Sequence, residues 1–335
     1  LMPTAPAGIE IMDRSLLDLA RRSDSLLARK IPAGFDNLLL IEYDADDIQT
    51  AAHLAQQTLD LIASQGLSRR VQLAVTAEEK ARFWAIRKAA VPILYRLKGA
   101  RKILAIVEDA AVPVERLVDY VRGVATIMQR LRIDFVWYGH IAKGLIHTRP
   151  LLNLKDPADI EKLKPLADAV FELVVGLGGT ISGEHGDGRL RSTYLRRQYP
   201  HLIDLMTRTK QILDPHNLLN PDIKTHSVPR QMQRHLRYGN HYQDRKLGPT
   251  LLRWPEGITS AVEKCHGCSK CTTVTTATRM CPIFKFTRLE AATPKAKANV
   301  LRALISGKIE RRELYRKELQ AVMAHCVGCG SCHLE

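Results

Sequence analysis

The chain has 335 residues, 45% hydrophobic and 25% charged, which suffices for a sizeable core and two domains. No run approaches the roughly 18 to 20 apolar residues of a membrane span, and Leu1 to Arg14 lacks the basic-then-apolar order of a signal peptide. The formal charge of +15 is uneven: residues 226–335 hold 19 Lys/Arg against 8 Asp/Glu, but these are dispersed, so nucleic acid is not the expected partner.

Between Asn37 and Ile146 short β-rich runs alternate with helical ones. NLLLIEY precedes a helix from about Asp46, and VQLAV precedes one through FWAIRKAAVPILYRL. ILAIVED precedes a helix from Val114, and IDFVWYGH follows it. Such alternation suits a parallel doubly wound sheet, but no Gly-rich phosphate loop follows any strand, and an α+β sheet with helices on one face fits as well. Residues 156–177 read as an amphipathic helix, followed by the Gly-rich segment GLGGTISGEHGDGRLR, a helix from Thr193 and a DPHNLLNP turn. From about Thr225 to Pro255 the pattern dissolves into polar, basic sequence, a linker. Two helical stretches, roughly 294–306 and 310–324, then lie between two cysteine groups.

All seven cysteines fall between Cys265 and Cys332. Tight groups beside a cysteine-free domain point to metal or cluster ligation in a reducing compartment rather than to disulfides. The expected location is the cytoplasm, with at most peripheral contact at the inner face of the membrane. The first group is Cys265, Cys268 and Cys271, with Cys281 beside Pro282; the second is Cys326, Cys329 and Cys332. Three cysteines spaced C-x2-C-x2-C wrap a loop around a cubane, and a remote Cys-Pro completes the set, ligating the other cluster in the bacterial two-cluster arrangement. The pattern predicts two 4Fe-4S clusters. A third Cys in each group is surplus for tetrahedral zinc, the competing assignment. The partner that completes the first cluster is expected just beyond Glu335, and the chain reads as truncated at both ends.

IDFVWYGHIAKGLIHTRP places His140 and His147 on either side of Gly144. On one straight strand their opposite parity would send them to opposite faces, whereas a turn at Lys143–Gly144 lets both imidazoles converge from adjacent strands. SGEHGDG adds Glu184 and His185 in a Gly-flanked loop. Two His and a carboxylate make a divalent-metal set with open positions for substrate. Such an ion can grip the hydroxyl and carboxylate of an α-hydroxy acid while His185 takes the proton. Arg87 and Arg149, with Lys102 weaker, are the candidate anchors for the substrate carboxylate; the competing reading is solvated surface charge.

Together YGHIAKGLIHTRP, SGEHGDGRLR, FWAIRKAA, VEDAAVPVE and LDPHNLLNP resemble the C-terminal substrate domain of FAD-linked oxidases of the vanillyl-alcohol oxidase type, in the D-lactate and D-2-hydroxyglutarate dehydrogenase branch. The cysteine segments are similar to an iron–sulfur domain fused to that enzyme in large bacterial proteins. The resemblance implies an α+β, ferredoxin-like cap with an antiparallel sheet and helices over residues 1–224, a linker at 225–255, and a small, mainly α-helical iron–sulfur domain at 256–335. It implies His140, His147 and Glu184 as ligands of a divalent ion, Zn or Mn, and His185 as acid/base. It further implies Arg87 and Arg149 on the substrate, and Asn220 near the flavin with Glu184 and His185. The expected reaction passes the C2 hydride of a D-2-hydroxy acid to FAD, held mainly by a domain preceding Leu1. Electrons then leave through the clusters to an acceptor such as a quinone or a cytochrome. Where GDGN is common in that family this chain has AKGL, so Lys143 stands beside the ligands, and Arg149 is an extra guanidinium that suits a dicarboxylate. The competing classes are a non-enzymatic iron–sulfur electron-transfer subunit and a metal-dependent hydrolase with a zinc-binding tail.

Overall fold

The computed structural model describes residues 1–335 except 24–30, 32, 33, 69, 96, 98, 229, 230, 246–252, 277 and 335. The chain divides into two units, Leu1–Gly239 and Asn240–Glu335; the division falls inside the polar 225–255 stretch.

The first unit is built on five strands, β1 (Gly8–Met12), β2 (Leu38–Glu42), β3 (Lys102–Ile103), β4 (Phe135–His140) and β5 (Leu145–Leu152), in the order β2-β1-β4-β5-β3. Every pairing is antiparallel. The fold is thus a mixed helix and antiparallel-sheet fold, and the parallel doubly wound option falls away.

Register decides which side chains share a face. Tyr138 lies opposite His147 and Val136 opposite Arg149, while Trp137 lies opposite Thr148 and Gly139 opposite Ile146. Directly opposed residues point the same way. Ile146 and Trp137 therefore face α4 (Leu117–Leu131) and α5 (Leu163–Gly176), and Ile146 is buried in one cluster with Tyr120, Val124, Met128 and Phe171. Val136 and Tyr138 face α1 (Arg14–Ser23) and α3 (Ala77–Tyr95), in a second cluster with Leu16, Leu17, Ile86 and Leu94. Helices cover both faces, not one, because residues of both parities on β4 and β5 are apolar and each set needs a partner layer.

Three segments depart from the sequence expectation. GIEIM was not read as a strand, yet β1 lies between β2 and β4. VQLAV forms no strand: Val71, Leu73 and Val75 are exposed and the run immediately precedes α3. Alternation supplied a strand-like pattern there, but none of the described strands pairs with it. ILAIVED contributes only Ile103 to the sheet, which with the preceding Lys102 makes β3. Leu104 N–H still bonds the Pro150 carbonyl, and Ala111 bridges Leu145 and Thr180. Between them the chain runs irregular and buried through Glu108 and Asp109. Helix α2 (Ile48–Ser64) begins as expected, with the Asp47 carboxylate accepting from Gln49 and Thr50 N–H.

The second unit shows helices and turns and no strand among the described residues: Gly257–Glu263, Pro282–Thr287, Pro294–Ile305 and Lys317–Ala324. Thr293 caps the longest through Ala296 N–H, with Pro294 at its first position. No described helix is long and apolar enough to cross a membrane.

Candidate active site

The chain reverses between β4 and β5 through a 3-10 turn, Ile141–Lys143, closed by Gly144 at φ 68°. A Cβ at Gly144 would lie 1.8 Å from the Val112 carbonyl oxygen, so only glycine fits here. The turn converts sequence parity into a common face: His140 ends β4 opposite Leu145, and His147 lies opposite Tyr138. The loop after Thr180 then brings up Glu184. One donor atom from each of His140, His147 and Glu184 lies within 4.8 Å of the others, and His140 Nε2 is 3.6 Å from Glu184 Oε2.

Each imidazole is held by its other nitrogen. His147 Nδ1 donates to the Glu108 carbonyl at 3.0 Å, and His140 Nδ1 meets the Glu10 carboxylate. Both Nε2 lone pairs are thereby left to converge, the arrangement that orients metal-ligating histidines. His185 stacks on His147 with ring centroids 5.3 Å apart and planes 9° from parallel. Its Nδ1 donates to Glu108 Oε1 at 2.6 Å. Its Nε2 is left as the acceptor, on a side chain that is 43% exposed.

Two other trios are equally compact, Glu108 with His147 and His185, and Asp109 with Glu184 and His185. Donor chemistry separates the three. Asp109, fully buried, accepts from Glu184 N, His185 N, Ser182 Oγ and Arg191 Nη1. Glu108 holds His185, Arg149 and Arg191. The Asp109 oxygens are spent on protein donors and Glu108 is enclosed by protein cations, its Oε2 ion-paired but without a hydrogen bond, whereas His140, His147 and Glu184 each keep an unengaged lone pair. The donor set therefore fits a divalent ion on those three residues. Burial pushes the Glu108 carboxyl up, but the contacts with His147, Arg149 and His185 outweigh it and hold the group down at about 2. Glu108 is thus a fixed negative charge behind both imidazoles.

The two arginines of the sequence reading reach this face already paired. Arg87 Nε bonds Glu10 Oε2 at 2.7 Å, with its guanidinium over the Tyr138 ring. Arg149 Nη2 lies 2.9 Å from Glu108 Oε2, and its Nε donates to the Tyr138 hydroxyl at 3.1 Å. Neither is solvated surface charge: their side chains are 11% and 8% exposed. Lys102 is not brought to the cluster. It lies opposite Leu152, five residues along β5 from His147, a separation of about 17 Å, and its ammonium donates to the Leu97 carbonyl. Asn220 sits exposed at φ 47° in the loop after Asp214, its carbonyl accepting from Ile223 N–H.

Four residues of the site escaped the sequence reading: Glu10, Glu108, Asp109 and Arg191. The acidic pair inside the apolar ILAIVED run was the available signal, because charges interrupting a buried run require partners. Glu10 carried a fainter one, a lone carboxylate in the alternating GIEIM.

In the second unit none of the seven cysteines is in a disulfide. Burial raises the Cys271 thiol, aided by Cys265 and Cys268 close by, while the backbone N–H of Lys295, in the first turn of the Pro294–Ile305 helix, bonds its sulfur and lowers it. Cys281 is buried, caps the Pro282–Thr287 helix through Phe284 N–H at 3.4 Å and approaches the Ala292 carbonyl. Cys326, Cys329 and Cys332 are exposed.

The first unit thus brings a His-His-Glu cluster, a carboxylate-backed histidine and two buried arginines together beside an antiparallel sheet. Residues 2–223 match the family of FAD linked oxidases, C-terminal domain, and the chain belongs to that family. D-2-hydroxyglutarate dehydrogenase of Pseudomonas putida is 30% identical over 315 residues, covering 90% of this chain and 31% of that protein. Glycolate oxidase subunit GlcD of Bacillus subtilis is 30% identical over 217 residues, 64% of this chain and 44% of that one. D-lactate dehydrogenase of Archaeoglobus fulgidus is 28% identical over 221 residues, 64% of this chain and 45% of that one. The chain spans about a third of the length of the hydroxyglutarate relative.

Proposed function

We propose that this chain carries the substrate site and an electron-relay unit of a flavin-dependent D-2-hydroxyacid dehydrogenase, with D-2-hydroxyglutarate the favoured substrate. One observation carries the reading. Two imidazoles and a carboxylate share a point with their other faces pinned by Glu10 and Glu108, and a third imidazole beside them keeps Nε2 open. The match to the hydroxyglutarate enzyme runs through both units, whereas those to the glycolate and lactate enzymes cover only 64% of the chain.

A divalent ion, Zn or Mn, on His140, His147 and Glu184 would polarise the α-hydroxyl and grip the adjoining carboxylate. His185 Nε2 accepts the hydroxyl proton, and the Glu108 carboxylate on Nδ1 stabilises the imidazolium that results. Arg87 and Arg149 border the same face, each held still and neutralised by its own ion pair with Glu10 or Glu108. Flavin, when bound, supplies the acceptor for the C2 hydride. The thiolates of Cys265, Cys268, Cys271, Cys281, Cys326, Cys329 and Cys332 would supply all but one of the ligands of two 4Fe-4S clusters: the first triplet is close-set, and Cys271 already takes a backbone N–H of the kind that stabilises cluster sulfur. Such clusters would release electrons singly to a quinone or cytochrome.

The test uses the full-length holoenzyme. His185→Asn lowers kcat on D-2-hydroxyglutarate by about a hundredfold or more, and His147→Ala loses the divalent ion on metal analysis. Full activity in both variants overturns the reading, as does a wild-type protein that oxidises no 2-hydroxy acid.

A further inference from the structure

We propose that Lys143 selects dicarboxylic 2-hydroxy acids by pairing its ammonium with the substrate's distal carboxylate. This rests on the function proposed above and adds to it the residue that distinguishes a hydroxy diacid from a hydroxy monoacid.

Lys143 is the last residue of the 3-10 turn that follows His140, so it stands at the mouth of the cluster. Its Nζ lies 4.0 Å from Glu184 Oε1, and 75% of its side chain is exposed. That long contact is its only ion pair among the described residues. The other cations on this face are committed. Arg87 is held by Glu10 and Arg149 by Glu108. Arg191 is spent on Glu108, Asp109 and the Gly186 carbonyl. Arg189, the exposed cation further along the loop, lines a cavity walled by Leu104, Leu163 and Met232 that includes none of His140, His147 and His185.

Charge then gives Lys143 its role. With an ion on His140, His147 and Glu184, the Glu184 carboxylate is spent on the metal, and the ammonium faces a dication without a counter-charge. A flexible four-carbon stem lets it swing toward the bound acid. D-lactate brings one carboxylate, which the ion takes. D-2-hydroxyglutarate brings a second at the end of two methylenes, and Lys143 is the cation at the rim left to meet it. Arg149, the residue the sequence suggested for that contact, is buried and already neutralised.

The experiment measures kcat/KM of the holoenzyme for D-2-hydroxyglutarate and D-lactate, with metal content determined for each variant. Lys143→Ala should lower the hydroxyglutarate-to-lactate ratio by about tenfold to a hundredfold, chiefly through KM. Lys143→Glu should lower it further, and Lys143→Arg should restore it to within a few-fold. Titration calorimetry on the oxidised holoenzyme should show 2-oxoglutarate affinity falling more than pyruvate affinity. An unchanged ratio in Lys143→Ala and Lys143→Glu overturns the proposal. So does an equal rise on both substrates with higher metal occupancy, which would mean that Lys143 acts only on Glu184. If the wild-type enzyme oxidises neither acid, the parent reading fails first and this one with it.

Discussion

Replacing Asp109 with Asn is the sharpest test of how the site is held. The carboxylate is fully buried and receives the Glu184 and His185 N–H groups at 3.1 and 2.8 Å, Ser182 Oγ at 2.8 Å and Arg191 Nη1 at 3.1 Å. All of these are donors. Asn has nearly the same shape but one acceptor oxygen, so its amide turns two hydrogens toward groups that also carry them, and Arg191 loses part of its buried counter-charge. Charge-assisted hydrogen bonds contribute about 1.5 to 3 kcal/mol each, and breaking a buried pair costs about 3 to 5 kcal/mol. With some acceptance kept by the amide oxygen, the expected loss is about 3 to 5 kcal/mol, a large share of a typical domain's stability of about 5 to 15 kcal/mol. Urea unfolding measures it directly, and metal analysis shows whether the loop bearing Glu184 still delivers its ligand; affinity should fall about tenfold to a hundredfold. An Asp109→Asn protein within 0.5 kcal/mol of wild type, by that order of estimate, and with full metal content would refute the view that this carboxylate assembles the loop.

Glu108 sets an acid limit. Its folded-state value, about 2, lies below the ordinary 4.5, so its stabilisation is complete above about 4.5 and lost as pH falls toward 2. The contribution is on the order of 3 kcal/mol, and unfolding midpoints of Glu108→Gln should fall less steeply than wild type across that window. Gly144→Ala forces a Cβ onto the Val112 carbonyl at a positive φ. It should destabilise by about 3 kcal/mol or more in thermal unfolding and separate the two histidines, seen as lost metal. Glu10→Gln frees His140 Nδ1 and Arg87 together and should weaken metal affinity by about tenfold to a hundredfold in chelator competition. Wild-type affinity in that variant would reduce the Glu10 contact to a packing detail.

The local grammar of the chain was enough to predict that His140, His147 and Glu184 converge. His140 and His147 have the wrong parity for one strand and a glycine between them, so a reversal was required, and the EHG segment is too Gly-rich to be anything but a loop. Those are short-range facts, written in adjacent residues. The tertiary structure alone supplied the partners. Glu10 meets Arg87 across 77 residues and His140 across 130, separations over which no spacing rule operates. VQLAV alternates like a strand and stays outside the sheet, while GIEIM pairs between β2 and β4, a choice made by tertiary pairing rather than local pattern. Arg87 and Arg149 looked like free anchors because a sequence shows a charge without its counter-charge. Folding brought carboxylates from distant segments to both, because a cation at about a tenth exposure is stable only when paired, and left Lys143 at the solvent edge with a single long ion pair among the described residues.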